Sequence, residues 1–108
     1  MKSISKATEW VPLGDGGQRR IVADGERIMI MEAEFAKAGG GIGTHQHMHE
    51  QVTTVIKGRL SLVVAGVEHV LSPGDFFVIP GHIPHSAHAL EDGTLARDTF
   101  SPPREDFR

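Results

Sequence analysis

The sequence predicts an all-β protein, a sandwich or barrel of short strands with little or no helix. Apolar segments of strand length recur at a spacing of about 8–12 residues, which is typical of such folds. Glycine (13 residues) and proline (6 residues) are spread along the chain and indicate many turns. No window of about ten residues has the apolar period of a helix. The length of 108 residues leaves room for one domain only.

The segment from Ile28 to Phe35 shows the strand pattern most clearly. Its sequence is IMIMEAEF, in which alternate apolar residues share one face and Glu32 and Glu34 share the other. Turn-forming sequences separate the segments that follow, for example SPGD at 72–75. The expected strands are residues 28–35, 52–56, 60–64, 67–71, 76–79, 85–90 and 94–100.

The composition excludes several classes of function. The chain has no cysteine, which excludes disulfides, thiolate metal ligands and thiol nucleophiles, and no tyrosine, which removes one common general acid. The formal net charge of -3 gives no basic surface for nucleic acid. No apolar run approaches the roughly 18 residues that span a bilayer, and residues 1–6 do not resemble a secretory signal. We therefore expect a cytoplasmic protein that binds neither nucleic acid nor membrane.

Histidine is concentrated in one part of the chain, because all seven histidines lie between His45 and His88. The densest run is HQHMHEQ, from His45 to Gln51, where alternate side chains project to one side of an extended backbone. His85 follows a proline-rich turn at 80–84 and begins a strand whose neighbours on the same face are alanines. A single histidine is usually a surface residue, but a close pair together with a distant third predicts a metal site with nitrogen and oxygen ligands.

Two separated motifs in the chain resemble the two motifs of the cupins. The first spans residues 39–58 and consists of Gly39, His45, His47, Gln51 and Gly58, with glutamine where glutamate is usual. The second lies within residues 74–89 and consists of Gly74, Pro80, Ile83, Pro84 and His85. The resemblance implies a single cupin domain over residues 1–108, with the fold of a double-stranded β-helix (a jelly-roll barrel) and a metal inside it.

The resemblance also implies a ligand set for one divalent transition metal. Its members are His45, His47, Gln51 and His85. Because none of these ligands is charged, the ion keeps its full positive charge, which makes it a stronger Lewis acid and favours a carboxylate substrate. The choice among zinc, nickel, iron, manganese and copper stays open, because imidazole suits several of these metals.

The other histidines are expected outside the ligand set. His82 stands where the second cupin motif usually has glycine, and histidine tolerates a positive φ better than most residues, so we expect it in a loop. His49 shares the ligand face but is expected at the mouth of the barrel. The parity of Glu50 points it away from the ligands. His69 and His88 are expected on outward or solvated strand faces.

The end of the chain carries a third motif, DTFSPPREDF, from Asp98 to Phe107. Asp98 and Phe100 share one parity, so an inward Phe100 implies an inward Asp98. A carboxylate directed into a barrel destabilises the fold unless it has a partner or takes part in catalysis. The alternative to a catalytic role is that Asp98 pairs with an arginine or lies at the solvent-exposed rim. Together with HxHxHEQ, this motif resembles the pectin-degradation cupins, which implies that Asp98, Phe100 and Arg104 are active-site residues.

This resemblance implies a metal-dependent enzyme that acts on small anionic sugars. The expected reaction converts 4,5-unsaturated uronate monosaccharides from pectin and alginate breakdown into linear keto-aldehyde acids, by a ring opening without redox change. A cupin dioxygenase of the quercetinase type is one alternative. A non-catalytic metal- or sugar-binding module is the other, and it would have an ion-paired Asp98 and a cavity filled by side chains.

The same patterns predict a homodimer. The strands at 52–56 and 60–64 carry apolar residues on both faces, which indicates that both faces are covered. Since no helix is expected, a second subunit is the natural cover, and the resemblance to cupins implies the same assembly.

Overall fold

Two antiparallel β-sheets pack face to face in a computed structural model that describes residues 4–108. In chain order the strands are β1 (Val11–Leu13), β2 (Gly17–Asp24), β3 (Met29–Phe35), β4 (Gly41–His45), β5 (Glu50–Lys57), β6 (Leu60–Val64), β7 (Val67–Leu71), β8 (Phe76–Ile79), β9 (His85–Ala89) and β10 (Thr94–Ser101). A short 3₁₀ helix follows at Glu105–Phe107. The larger sheet has the order β1-β2-β3-β10-β5-β8, and the smaller one the order β4-β9-β6-β7.

The predicted all-β class is confirmed, and the predicted strands lie within two residues of the observed bounds. The strands β1, β2 and β4 were not predicted as strands. The strand β2 has the sequence GQRRIVAD, with adjacent arginines on opposite faces, and β4 has the sequence GIGTH, so neither shows apolar alternation. Within residues 4–108, no helix has the length and apolar character needed to cross a membrane.

The hydrophobic core lies between the two sheets. Val55 and Ala96 of the larger sheet pack with Leu60 and Leu62 of the smaller one, and all four are almost completely buried. The buried inward residues of β3, which its alternation predicts, belong to two further clusters, one with Met29 and Met31 and one with Ala33 and Phe35. Burying these apolar faces is the main force that holds the sheets together.

Glycine is required where the cupin-like motifs begin and end. Gly39, Gly58 and Gly74 have φ values of 93°, 81° and 89°, a region that side chains with a Cβ rarely adopt. At Gly58 a Cβ would also lie 2.4 Å from the Thr94 hydroxyl oxygen. These positions therefore fix the turns that hold the motif strands in place.

A buried glutamate links three strands on the outer face of the larger sheet. Glu32 is 4% exposed and accepts hydrogen bonds from Arg20 (2.7 and 3.0 Å) and Arg97 (2.8 and 3.2 Å). Burial alone would raise the pKa of Glu32, but the hydrogen bonds from Arg97 and Arg20 outweigh it and hold the pKa below 4.5. The carboxylate therefore stabilises the folded state through β2, β3 and β10.

We expect the substitution Glu32→Gln to destabilise the protein by about 2 kcal/mol at pH 7, because it removes charge-assisted hydrogen bonds to two arginines. The lowered pKa contributes stability that is complete above pH 4.5 and is lost as the pH falls through the folded-state value. Urea unfolding at pH 7 and at pH 3 measures both effects, and the difference from wild type should shrink in acid.

The control is Glu91→Gln, which removes a half-exposed carboxylate 2.9 Å from Arg59. An exposed pair contributes less than about 1 kcal/mol. Equal losses in the two variants at pH 7 would contradict the importance of the buried cluster.

Candidate metal centre

Three histidines from two separate segments of the chain meet between the two sheets. His45 ends β4 and is the cross-strand partner of His85, which begins β9, while His47 lies in the loop after β4. The ring centres are 4.3 Å apart for His45 and His85, 4.8 Å for His47 and His85, and 5.7 Å for His45 and His47. One ring nitrogen from each lies within 4.8 Å of the others, so the three can reach one ion.

Backbone carbonyls fix the tautomer of each of these imidazoles. The Nδ1–H of His45 donates to the Gly43 carbonyl (2.8 Å), and that of His85 donates to the Ile83 carbonyl (2.8 Å). His47 uses the His49 carbonyl in the same way, at 3.0 Å. Because a carbonyl only accepts, Nδ1 carries the proton and Nε2 offers its lone pair, which is the arrangement that orients histidine ligands to a metal.

Gln51 lies beside the histidines with its amide oxygen directed towards them. Its Oε1 is 3.0 Å from Nε2 of His47. Its amide nitrogen donates to the Thr53 hydroxyl (2.9 Å) and to Asp98 Oδ1 (3.2 Å), and this fixes which end of the amide faces the histidines. Gln51 is 6% exposed, so the amide is held inside the protein.

The donor set fits a divalent transition metal. The Nε2 of His85 is buried and has no hydrogen-bond partner in residues 4–108, which suits a nitrogen that binds an ion. Burial, followed by the positive charge of Arg104, lowers the pKa of His47 to about 4, and burial also lowers the pKa of His85. Both imidazoles are therefore neutral at pH 7, as metal ligation requires.

Asp98 lies in the cavity wall next to these residues and has no arginine or lysine partner within the described chain. Its Oδ1 accepts hydrogen bonds from the Thr53 hydroxyl (2.7 Å) and from the amide nitrogen of Gln51. The register of β5 and β10 sets Asp98 opposite Thr53. Burial raises the pKa of the Asp98 carboxyl, and these hydrogen bonds offset part of the effect.

A cavity of about 310 Å³ opens between the sheets at this point, which is large enough for a monosaccharide. The predicted site residues in its wall are His45, Gln51, His85, Asp98, Phe100 and Arg104. His47 completes the histidine group behind them, 5.7 Å from the Phe100 ring. The structure thus brings together all seven residues that the sequence analysis selected.

Arg104 reaches the cavity from the segment after β10. Its side chain is 13% exposed, and its guanidinium carbon lies 5.2 Å from the centre of the Phe100 ring and 4.1 Å from that of Phe107. Asp106 accepts hydrogen bonds from its Nε (3.3 Å) and Nη2 (2.9 Å). Part of the guanidinium is therefore already engaged by a carboxylate of the chain itself.

The remaining histidines lie outside the ligand group. His82 is exposed and has a φ of 64°, as the positive-φ argument predicts, and its backbone N–H donates to the His47 carbonyl (2.7 Å). The ring of His49 is 5.3 Å from that of His47. The expected solvated or outward position of His69 is wrong, because it lies half-buried opposite the buried Leu62 with its ring 4.4 Å from that of Phe77.

Thr53 and Arg19 are polar residues of the cavity wall that were not predicted from the sequence. Thr53 has the same parity as Gln51 on β5, so the strand alternation could have placed it on the inward face. Arg19 lies on β2, which was not predicted as a strand, and no signal in the sequence marked it.

Comparisons with known proteins agree with this fold and site. The family model described as Cupin domain matches residues 31–97. The pectin degradation protein KdgF of Dickeya dadantii (strain 3937) is 38% identical over 106 residues, which are 96% of this chain and 94% of that protein. The structure of KdgF from Halomonas sp. has a TM-score of 0.87 at 37% identity, over 94% of this chain and 92% of that one.

A further solved structure, an RmlC-like cupin from Shewanella frigidimarina, has a TM-score of 0.86 at 37% identity and covers 94% of this chain and 89% of its own. The family match spans more than half of the chain, and the curated relative spans nearly all of it. The resemblance inferred from the two histidine motifs is thereby confirmed. The chain belongs to the cupin family and is related over almost its whole length to the pectin degradation protein KdgF.

Proposed function

We propose that this protein is a metal-dependent enzyme that opens the ring of 4,5-unsaturated uronate monosaccharides to give linear keto-aldehyde acids. The observation that carries the proposal is the position of Asp98. Its carboxyl faces the same cavity as His45, Gln51 and His85, and its hydrogen-bond donors within residues 4–108 are all neutral. The relationship to proteins named for pectin degradation supports this class of substrate.

The proposed reaction is an isomerisation in which no atom is added or lost. The hydroxyl on C1 of the cyclic enol ether gives up its proton and becomes the aldehyde carbonyl, while the bond between C1 and the ring oxygen breaks. The ring oxygen stays on C5 as an enol. The enol then becomes a ketone as C4 gains a proton, so the reaction needs proton transfers and no oxidant.

The residues of the cavity have separate tasks in this reaction. Asp98 moves protons at the reacting atoms, and Thr53 and Gln51 hold its carboxyl in place. Arg104 binds the substrate carboxylate by charge-assisted hydrogen bonds, and Phe100 forms an apolar wall of the cavity. His45, His47, Gln51 and His85 would hold a divalent ion, which supplies a Lewis acid for the substrate's oxygen atoms.

Two features argue for an enzyme rather than a binding module. Among the described residues, none with a positive charge pairs with Asp98, although that is the usual way to stabilise an enclosed carboxylate. The cavity beside it is not filled by side chains. A carboxyl without a cationic partner and an unfilled cavity both lower the stability of the fold, and such a loss of stability is common at active sites.

We also propose that two copies of the chain associate through the outer face of the larger sheet. β8 is the edge strand of that sheet, and its outward side chains Phe76 and Val78 are 70% and 55% exposed. Ile56 on the neighbouring strand β5 is 42% exposed. A second copy can cover such an apolar edge symmetrically.

The cytoplasmic location stays a prediction.

The reaction is tested by adding purified, metal-loaded protein to an unsaturated galacturonate and following the loss of the enol-ether ultraviolet absorbance. We expect Asp98→Asn to slow this loss by about 100-fold or more, because the amide cannot exchange the proton. The control is Asp15→Asn, an exposed turn residue outside this cavity with a φ of 58°, which asparagine tolerates. No acceleration by wild type would refute the reaction, and a full rate for Asp98→Asn would refute its role.

We expect His85→Ala to lose the metal, because it removes the most deeply buried ligand nitrogen. His88→Ala, on the same strand but on the opposite face, should keep it. Elemental analysis gives the metal content per chain. Melting temperatures before and after chelation provide a second measurement, since a bound ion at about 100 times its dissociation constant stabilises by about 2.7 kcal/mol. Equal metal content in the two variants would contradict the ligand assignment.

We expect Phe76→Glu to convert a dimer into a monomer, because it places a charge in the proposed apolar contact. Sedimentation velocity measures the mass of each species. Val67→Glu is the matched control, since Val67 is 57% exposed on β7 of the other sheet. A monomeric wild type, or a Phe76→Glu variant that stays dimeric, would contradict this surface.

A further inference from the structure

Arg19 is a partly buried cation that the site described above does not use. It lies on β2 and lines the same cavity as Asp98. The arginines that pair with carboxylates are Arg20, Arg59, Arg97, Arg104 and Arg108. Arg27 is exposed to solvent. Across residues 4–108, Arg19 is thus the partly buried arginine that has no carboxylate partner.

The sheet register directs Arg19 into the cavity and leaves space in front of it. Arg19 is paired with Ala33 of β3, and Ala33 is paired with Ala96 of β10. Both alanines are inward-facing and buried, and their small side chains leave open the volume that larger residues would fill. The next residue, Arg20, projects to the outer face and pairs with Glu32.

An aromatic ring holds the guanidinium of Arg19 in position. Its central carbon lies 4.4 Å from the centre of the Phe107 ring, and that of Arg104 lies 4.1 Å from the same centre. A cation–π contact of this kind orients the guanidinium without neutralising its charge. Because Asp106 occupies two N–H groups of Arg104, the fork of Arg19 is the freer of the two.

The carboxylates near the cavity are already committed to other partners. Glu32 is held by Arg20 and Arg97, and Asp98 accepts from Thr53 and Gln51. A guanidinium left without an anion in a mostly apolar cavity is unfavourable, and an incoming carboxylate removes that cost. We propose that Arg19 is a substrate-binding residue whose guanidinium pairs with the carboxylate of the uronate.

This inference rests on the proposed function for its substrate, and it adds a determinant of specificity. A guanidinium fork matches a carboxylate through two parallel hydrogen bonds, whereas a neutral sugar offers only hydroxyl groups. Arg19 therefore selects uronic acids over the corresponding neutral sugars. Together with the remaining N–H groups of Arg104, it holds the carboxylate near Phe107 while the ring oxygen and C1 lie towards Asp98 and the histidines.

The test uses metal-loaded wild type, Arg19→Gln and Arg19→Lys, with the saturated sugars galacturonate and galactose as probes. Titration calorimetry or NMR titration measures binding, and the ultraviolet assay gives kcat and KM for the unsaturated uronate. We expect Arg19→Gln to weaken galacturonate binding and to raise KM by about 10- to 100-fold, with kcat much less affected. Arg19→Lys should recover part of the affinity, and binding of galactose should not change.

The control Arg27→Gln removes the same charge from an exposed position and should leave every value unchanged. The melting temperature distinguishes binding from a structural contact with Phe107. If Arg19 binds substrate, the Arg19→Gln variant should be as stable as wild type or more stable. If Arg19 has only a structural role, the variant should be less stable. A less stable variant with unchanged galacturonate binding would overturn the inference.

The two proposals can fail separately. If binding of galacturonate depends on Arg19 but wild type does not convert the unsaturated uronate, the proposed reaction is refuted and the binding role of Arg19 is supported. If wild type converts the substrate and Arg19→Gln has the same KM, the binding role of Arg19 is refuted and the proposed reaction is supported. No binding of galacturonate by wild type also refutes the inference.

Discussion

The pairing of β5 with β10 is the constraint on which the rest of the site depends. Its register sets Gln51 opposite Phe100 and Thr53 opposite Asp98. A slip of one residue would turn these side chains to the outer face. Hydrogen bonds from Gln51 and Thr53 to Asp98 reinforce the register inside the cavity. Because Gln51 also faces His47, the candidate metal ligands and the candidate proton carrier are oriented by one network and cannot be moved independently.

The cavity exists because small residues occupy the inward positions beside this network. Ala33, Ala96 and Ala87 line it from both sheets, together with the core residues Leu60 and Leu62. Larger apolar residues at these positions would bury more surface and stabilise the fold. The buried Glu32 cluster on the outer face links β2, β3 and β10 and helps to keep the sheet rigid around the open space. The larger sheet is thus cross-linked by ion pairs on its outer face, while the interior beside it is incompletely packed.

The sequence predicted most of this arrangement, because strand alternation and motif spacing are local properties. It identified the histidine positions, Gln51 and Asp98, since each lies on a strand or motif with a recognisable pattern. It did not find Arg19, because β2 lacks apolar alternation and the partner of Arg19 is Phe107, far away in the chain. The partial engagement of Arg104 by Asp106 is likewise a property of the folded tail, which spacing alone does not show.

The charged residues of the cavity are suited to different tasks, some to substrate binding and others to catalysis. Arg19 and Arg104 supply two positive charges against the single carboxyl of Asp98, and the proposed metal ligands are imidazoles and an amide, which carry no negative charge, so the cavity favours an anion. In the proposed reaction the uronate and the keto-aldehyde acid carry the same carboxylate, so the two arginines would bind substrate and product about equally. Such uniform binding lowers KM and does not lower the barrier to ring opening. Acceleration of the proposed reaction would therefore come from groups whose contacts change as the C1–oxygen bond breaks, and Asp98 is the cavity side chain that we propose for this role.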